Sequence, residues 1–416
     1  MLRSFLLSIA LILSTTSLFA QEQQGDYHFD QNGISRAVLE NYLNRSITFT
    51  DLLPPPGFEN DGAFSSKEDD LRLVKNIRPK LIGRSIYRWG KEDTLADQRF
   101  LDGAKQIATK IHEIDPDILL QACLFEIVTK KVNGLAIPGW VFEAFELPKE
   151  ERNFQYDKML AANGKFVDHW GKDTCVPDIT QQETKLWFLF LLGTYMDIGC
   201  EAFHLGQVEL IGMNDPKREH WVQFIDRLRE FSAKRARRGW LLLDAHTPHG
   251  GMVVDGKSLL DFNSFPLRIK EIPERPRDAK LEIGYLDALF CRSTGCVTPS
   301  GWKCDSLPYL VEFDNFGISR TPGQSTVDSH YIWGYDEISW FYLQPEGYRQ
   351  NWVMYADNWV REYDKNGFLQ MPIGRCVSIG KGGGIRFRAN TPSDAVPEGM
   401  NLEETIKAIF ESKNLK

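Results

Sequence analysis

Residues 308–315 read Pro-Tyr-Leu-Val-Glu-Phe-Asp-Asn. A short, near-continuous apolar run of this kind has the composition of a parallel strand covered on both faces. The strand period of two puts Leu310, Glu312 and Asp314 on one face. A carboxylate in such a run is costly unless something pairs with it, so Glu312 calls for an explanation. Seven more stretches have the same character: SITFTD at 46–51, LIGRSIYRW at 81–89, ILLQACLFEI at 118–127, EAFHLGQVEL at 201–210, GWLLLDAH at 239–246, YLDALFCR at 285–292 and FLQMPIGR at 368–375. Helical spacing fills the gaps between them. Leu101, Ala104, Ile107 and Ile111 form one stripe, Leu186, Phe190 and Tyr195 a second, Trp221, Phe224, Leu228 and Phe231 a third, and Trp352, Tyr355, Ala356 and Trp359 a fourth. Ser65 and Glu68 resemble a capping box ahead of another helix. Strands alternating with helices over this length predict an α/β chain folded as one (β/α)8 TIM barrel with long βα loops. A doubly wound sheet is the rival. No GxGxxG or GxxxxGK[ST] follows an early strand, and the glycine run at 380–384 comes too late for that role.

Composition narrows the class. The chain has 416 residues, 42% hydrophobic and 25% charged, which excludes collagen-like, disordered and disulfide-knot proteins. A formal charge of −8 argues against a surface built to grip nucleic-acid phosphates. The one long apolar run lies in residues 1–20, MLRSFLLSIALILSTTSLFA. Arg3 supplies a positive start, the apolar stretch 5–13 is too short to span a bilayer, and Ala20 offers a cleavage position. The expectation is a signal peptide at 1–20 and a barrel domain at 21–416, exported to the periplasm or beyond, with no stable membrane span once the signal is removed. There are 7 cysteines, and no CxxC pair supports a structural zinc. Cys296 and Cys304 flank a Gly/Pro/Ser/Trp loop and could pair in an oxidising compartment.

Barrel enzymes carry their chemistry at the C-terminal ends of the strands, on long βα loops. The long connections here are 128–177, 249–281 (with Asp255-Gly256 as a hairpin turn) and 293–307. Polar residues at the expected strand ends are Arg84 and Tyr87, Glu126, then His204, Gln207 and Glu209, Asp244 and His246, Arg292, and Glu312, Asp314 and Asn315. Gly206 would let backbone and ligand approach closely. Aromatics make up 12% of the chain, and Trp140, Trp170, Trp302 and Trp333 in or near the loops are candidates for stacking on sugar rings. The structural alternative for Glu312 is a salt-bridged layer with Arg84, Arg292 or Arg375. For Glu209 it is a helix cap or an ion pair on the rim.

Carboxylates after strands four and seven of a (β/α)8 barrel resemble the retaining glycoside hydrolases of the large barrel clan. The resemblance is architectural and spans roughly residues 44–380 on the barrel reading. It implies Glu209 as acid/base and Glu312 as nucleophile. A carbohydrate substrate would then be held by Glu126, His204, Gln207, Asp244, His246, Arg292, Trp302, Asp314 and Asn315, with no metal and no cofactor. One departure stands out: the clan places Asn-Glu at strand four, where this chain has Val208-Glu209. Three rivals remain. Asp244, His246 and His249, joined by His204 and Asp314, could hold a metal, although Thr48-Phe49-Thr50 stands where a metal-dependent barrel usually begins with HxH. A polysaccharide lyase would use Tyr, His and Arg around an acidic sugar. A carbohydrate-binding barrel without catalysis is the third. No GxSxG elbow is present.

Overall fold

The structure, a computed structural model, describes residues 25–413 except 61–65, 248–249, 273, 276, 283–292, 316–335 and 380–383. Its frame is a closed ring of parallel strands: β1 Ser46–Phe49, β2 Leu81–Ile86, β3 Leu119–Cys123, β4 Ala202–Gln207, β5 Leu242–His246, β6 Asn263–Pro266, β7 Tyr309–Glu312 and β8 Gly367–Cys376. Closure is explicit, since Ile47 of β1 pairs with Met371 of β8. A ninth strand, β9 Arg386–Arg388, runs antiparallel on β8. This is the (β/α)8 barrel that the alternation of strands and helices implied.

The sixth strand corrects the sequence reading. Its place is held by β6, where Ser264 pairs with His246 on one side and Leu310 on the other. The stretch 285–292, and Arg292 with it, lies outside the described residues. Asn263-Ser264-Phe265-Pro266 escapes detection because it is too short and too polar to read as an apolar run.

The helices around the ring are α1 Arg36–Asn44, α2 Lys67–Ile77, α3 Gln98–Ile114, α4 Gln182–Ile198, α5 Glu219–Arg235, α6 Glu337–Tyr342, α7 Glu346–Tyr363 and α8 Glu403–Lys413, with shorter turns at Gly139–Ala144 and Val208–Ile211. Each of the four expected stripes lies on one of them, with Ala104, Leu186, Trp221 and Trp352 buried, though Tyr355 of the fourth is exposed. The cap of α2 is Ser66, whose hydroxyl accepts from the Asp69 amide at 3.1 Å; Ser65 lies outside the described residues. The basic run at the end of α5 is structural: Arg235 pairs with Asp197, and Arg237 and Arg238 grip Glu201. Helix α4 is buried almost all round, because the first part of loop 128–177 folds over its outer face. Trp140 stacks there on Phe190 and Phe231, so it packs the scaffold and not a binding wall.

Side chains inside the ring form layers, as barrel geometry requires. The lowest is apolar: Leu81, Leu119, Ala202, Leu242, Leu310 and Phe368 meet Tyr27, Phe29, Leu39 and Tyr42. Residues 25–44 therefore plug the N-terminal end of the barrel. The layer above is polar. Asp244 accepts from Gln121 Nε2 at 2.6 Å and from Ser264 Oγ at 2.6 Å, and Thr48 Oγ1 donates to Gln370 Oε1 at 2.7 Å.

The loop strands are short. Val253–Val254 and Lys257–Ser258 form the expected hairpin, with Asp255 and Gly256 both at positive φ. Cys296 and Cys304 face each other across a second antiparallel pair, as free thiols with sulfurs 3.8 Å apart. Among the described residues, no helix is long and apolar enough to cross a membrane.

Candidate active site

A cleft of about 410 Å³ opens at the C-terminal mouth of the barrel, lined by residues from the ends of β1, β2, β3, β4, β5, β7 and β8. One wall is aromatic. Tyr87 and Trp89 after β2 meet the edge of Phe125 after β3, with ring centroids 5.2 and 5.7 Å away, and Trp170 from loop 128–177 stands 5.2 Å from Trp89. Trp170 Nε1 donates to the Glu126 carbonyl at 2.8 Å, tying the loop to the strand end.

Glu126 reaches the cleft through an unusual backbone. Phe125 before it is left-handed, with φ of 60°, a strained state for a bulky residue. The Glu126 carboxylate accepts from the backbone N–H of Gln207 and from Gln207 Nε2, both at 2.8 Å. Gly206 makes room for it. A Cβ there would come within 2.4 Å of Glu126 Oε2, and the glycine φ of +75° also disfavours any other residue. Gln207 thus holds the Glu126 carboxylate, where the sequence reading assigns it to the substrate.

On the opposite side, the inward face of β7 rises as the sequence period requires. Leu310 lies in the apolar floor, Glu312 in the ring above it and Asp314 at the mouth. Glu312 is only 3% exposed and does not line the cleft. Arg84 binds it in a two-pronged ion pair, with Nε to Oε2 at 2.9 Å, and His246 Nε2 bonds its Oε1 at 2.8 Å. Arg375 stands 3.7 Å from Oε2. Burial pushes the Glu312 carboxyl pKa up, but Arg84, the His246 bond and Arg375 outweigh it and hold it well below the ordinary carboxylate range. Arg84 itself sits at φ of 56°, a second strained residue at this site.

Asp314 does line the cleft. One oxygen accepts from the Asn315 amide at 2.9 Å and lies 3.4 Å from Arg375 Nη2. Burial and the neighbouring Glu312 raise its pKa, but the His246, Arg84 and Arg375 side chains lower it on balance, so Asp314 is ionised at neutral pH. Asn315 also lines the cleft and accepts from Arg375 Nη2 at 2.8 Å.

Between the two carboxylates stand His204 and His246, with rings 4.7 Å apart and edge to face. His204 Nδ1 bonds Asp244 Oδ2 at 2.7 Å. Asp244 is fully buried beneath it and does not touch the cleft. The metal reading required these groups to converge, but His204 and His246 each spend a nitrogen on a carboxylate, and His249 lies outside the described residues. Among the described residues, no group of three His, Cys, Asp or Glu is arranged to hold a metal.

Two candidates stand elsewhere. Strand β4 ends at Gln207, and Glu209 falls on the helical turn Val208–Ile211 that follows. Its side chain is 45% exposed and paired with Arg218 at 2.9 Å, outside the cleft lining. Trp302 lies at the other end of the barrel, where Nε1 donates to the Ile34 carbonyl at 3.0 Å and the ring packs beside the apolar floor. Sequence reasoning did not assign Trp89, Phe125 or Arg375 to the cleft. The signal available was their position at or just past strand ends two, three and eight.

No protein-family model matches the chain, and no curated protein matches it. Solved structures resembling it include an alpha-amylase from Geobacillus thermoleovorans, with TM-score 0.45 and 11% identity over 90% of this chain and 79% of that one. A debranching enzyme from Nostoc punctiforme gives TM-score 0.43 and 12% identity, covering 90% and 81%. An alpha-galactosidase from Thermus thermophilus gives TM-score 0.33 and 17% identity, covering 56% of this chain and 44% of its own.

Proposed function

We propose that the protein hydrolyses a glycosidic bond in this cleft, with Asp314 and Glu126 as the working carboxyls. The observation that carries the reading is their placement. Two acids from β3 and β7, four places apart in an eight-strand ring, line one cleft with an aromatic wall between strands two and three. Aromatic faces suit the apolar faces of sugar rings, and the paired acids suit cleavage of the bond between rings. Asp314, ionised, supplies negative charge to the sugar carbon as its bond to the leaving oxygen breaks. Glu126 supplies the proton to that oxygen. Glu312 serves beneath them by fixing Arg84 and His246, and Glu209 has no part. Export, resting on residues 1–20, belongs to the same proposal.

The test is a screen of the purified protein against varied glycans, with products identified by mass. Asp314→Asn and Glu126→Gln should each lower kcat at least ~10³-fold on any glycan that the wild type cleaves, in line with loss of groups acting in the transition state. Retained turnover in both variants would remove the reading. Tyr87, which lines the same cleft as Arg84 and His204, favours one second reading, β-elimination on an acidic sugar. An unsaturated product would identify it.

A further inference from the structure

Among the described residues that line the cleft, His204 and Arg375 carry buried nitrogens without a hydrogen-bond partner, and only the imidazole can take up a proton. His204 is 2% exposed and lines the cleft, and its Nε2 is buried without a hydrogen-bond partner. Leaving such an atom unsatisfied is costly, and a fold tolerates it where a ligand will engage it. The other ring nitrogen is committed. Asp244 accepts from Nδ1, and Gln121 and Ser264 hold Asp244 in place from β3 and β6. With its proton on Nδ1, the ring presents a bare lone pair at Nε2.

Resting on the hydrolytic reading above, we infer that His204 is the base of the cleft: its Nε2 takes the proton of the water that attacks the sugar. The water oxygen bonds to the anomeric carbon as its proton passes to Nε2. Asp244 steadies the imidazolium that results. The bond from that carbon to the leaving oxygen breaks, its electron pair stays on the oxygen, and Glu126 protonates it. Return of a proton from His204 to Glu126 through solvent closes the cycle.

The groups around the ring support a base that is neutral at rest. Asp244 and His246 face it from β5, Arg84 from β2 and Cys123 from the adjoining strand β3, with the Phe125 ring 5.9 Å away. Glu312 and Arg375 stand behind His246 and Arg84. Burial pushes the imidazole pKa down, Asp244 opposes this, and His246 and Arg84 add to the lowering. The base form therefore persists below the ordinary imidazole range.

The experiment has two arms. The first records ¹⁵N-histidine spectra of the wild type from pH 5 to 9, with His204→Gln to assign the signal. A neutral ring protonated on Nδ1 at pH 7 is expected, and a ring charged at pH 7 or protonated on Nε2 overturns the proposal. The second measures kinetics on a glycan that the wild type cleaves. His204→Gln should lower kcat ~10²- to 10⁴-fold with KM within threefold, lose the acid limb of the pH profile and regain activity with added imidazole or formate. A change in KM alone, or full activity, overturns the proposal while leaving the hydrolase reading intact. A wild type that cleaves no glycan overturns the hydrolase reading itself.

Discussion

Glu312 neutralises Arg84, accepts a bond from His246 and lies near Arg375, all without reaching solvent. A carboxylate this engaged is poorly placed to attack a substrate, and its removal would strand a buried guanidinium. Glu312→Gln should cost roughly 3–5 kcal/mol in a denaturation experiment, as breaking one side of a buried pair does. Its folded-state pKa is depressed, so the stability it confers is present above the unfolded carboxyl value and is lost only in strong acid. Glu209 is the opposite case. Its pair with Arg218 is solvent-exposed, so Glu209→Gln should shift stability by less than about 1 kcal/mol and leave kcat unchanged. A third acid, Glu337, is buried against Arg268 at 2.5 Å, and burial raises its pKa to about 7 despite that partner. The native state therefore binds a proton that the unfolded chain gives up, and stability falls as pH rises from about 4.5 to 7. Glu337→Gln should flatten that slope in thermal melts between pH 5 and 7; an unchanged slope would refute the assignment.

At the scale of elements, the clearest device is the end of β4. Gly206 allows the Gln207 amide and the Glu126 carboxylate to meet. Gly206→Ala should lose roughly 1–2 kcal/mol from the positive φ alone, with a larger loss of turnover because the new methyl displaces Glu126. Full activity in that variant would show that Glu126 need not sit where it does. The same elements show what could be read in advance. Strands such as LLQAC and YLVE announce themselves because both faces are covered and the period of two survives. So do α3 and α5, whose buried residues recur at helical spacing. Strand β6 does not, because its identity comes from its neighbours, Ser264 bonding Asp244 and Leu310 pairing beside it. Glu209 misled for a related reason. The strand stops at Gln207, and one further turn of helix sends the next acid outward.

For the whole molecule, the two ends of the barrel divide the work. Apolar residues of 25–44 seal the N-terminal end, while charge and aromatic rings gather at the other. That division was legible for β7, whose face runs from Leu310 to Asp314. It was not legible for loop 293–307, because loop length alone does not say which end a loop visits. Trp302→Ala should cost roughly 1–3 kcal/mol, through the lost bond to Ile34 and lost packing, with KM unchanged. A raised KM would return Trp302 to the substrate. The most direct check on the central claim is the mass of the products formed in H₂¹⁸O. Hydrolysis in the cleft requires one ¹⁸O at each newly formed reducing end, with none released by the Asp314→Asn protein. Cleavage yielding an unsaturated fragment without the label, or equal labelling by that variant, would contradict it.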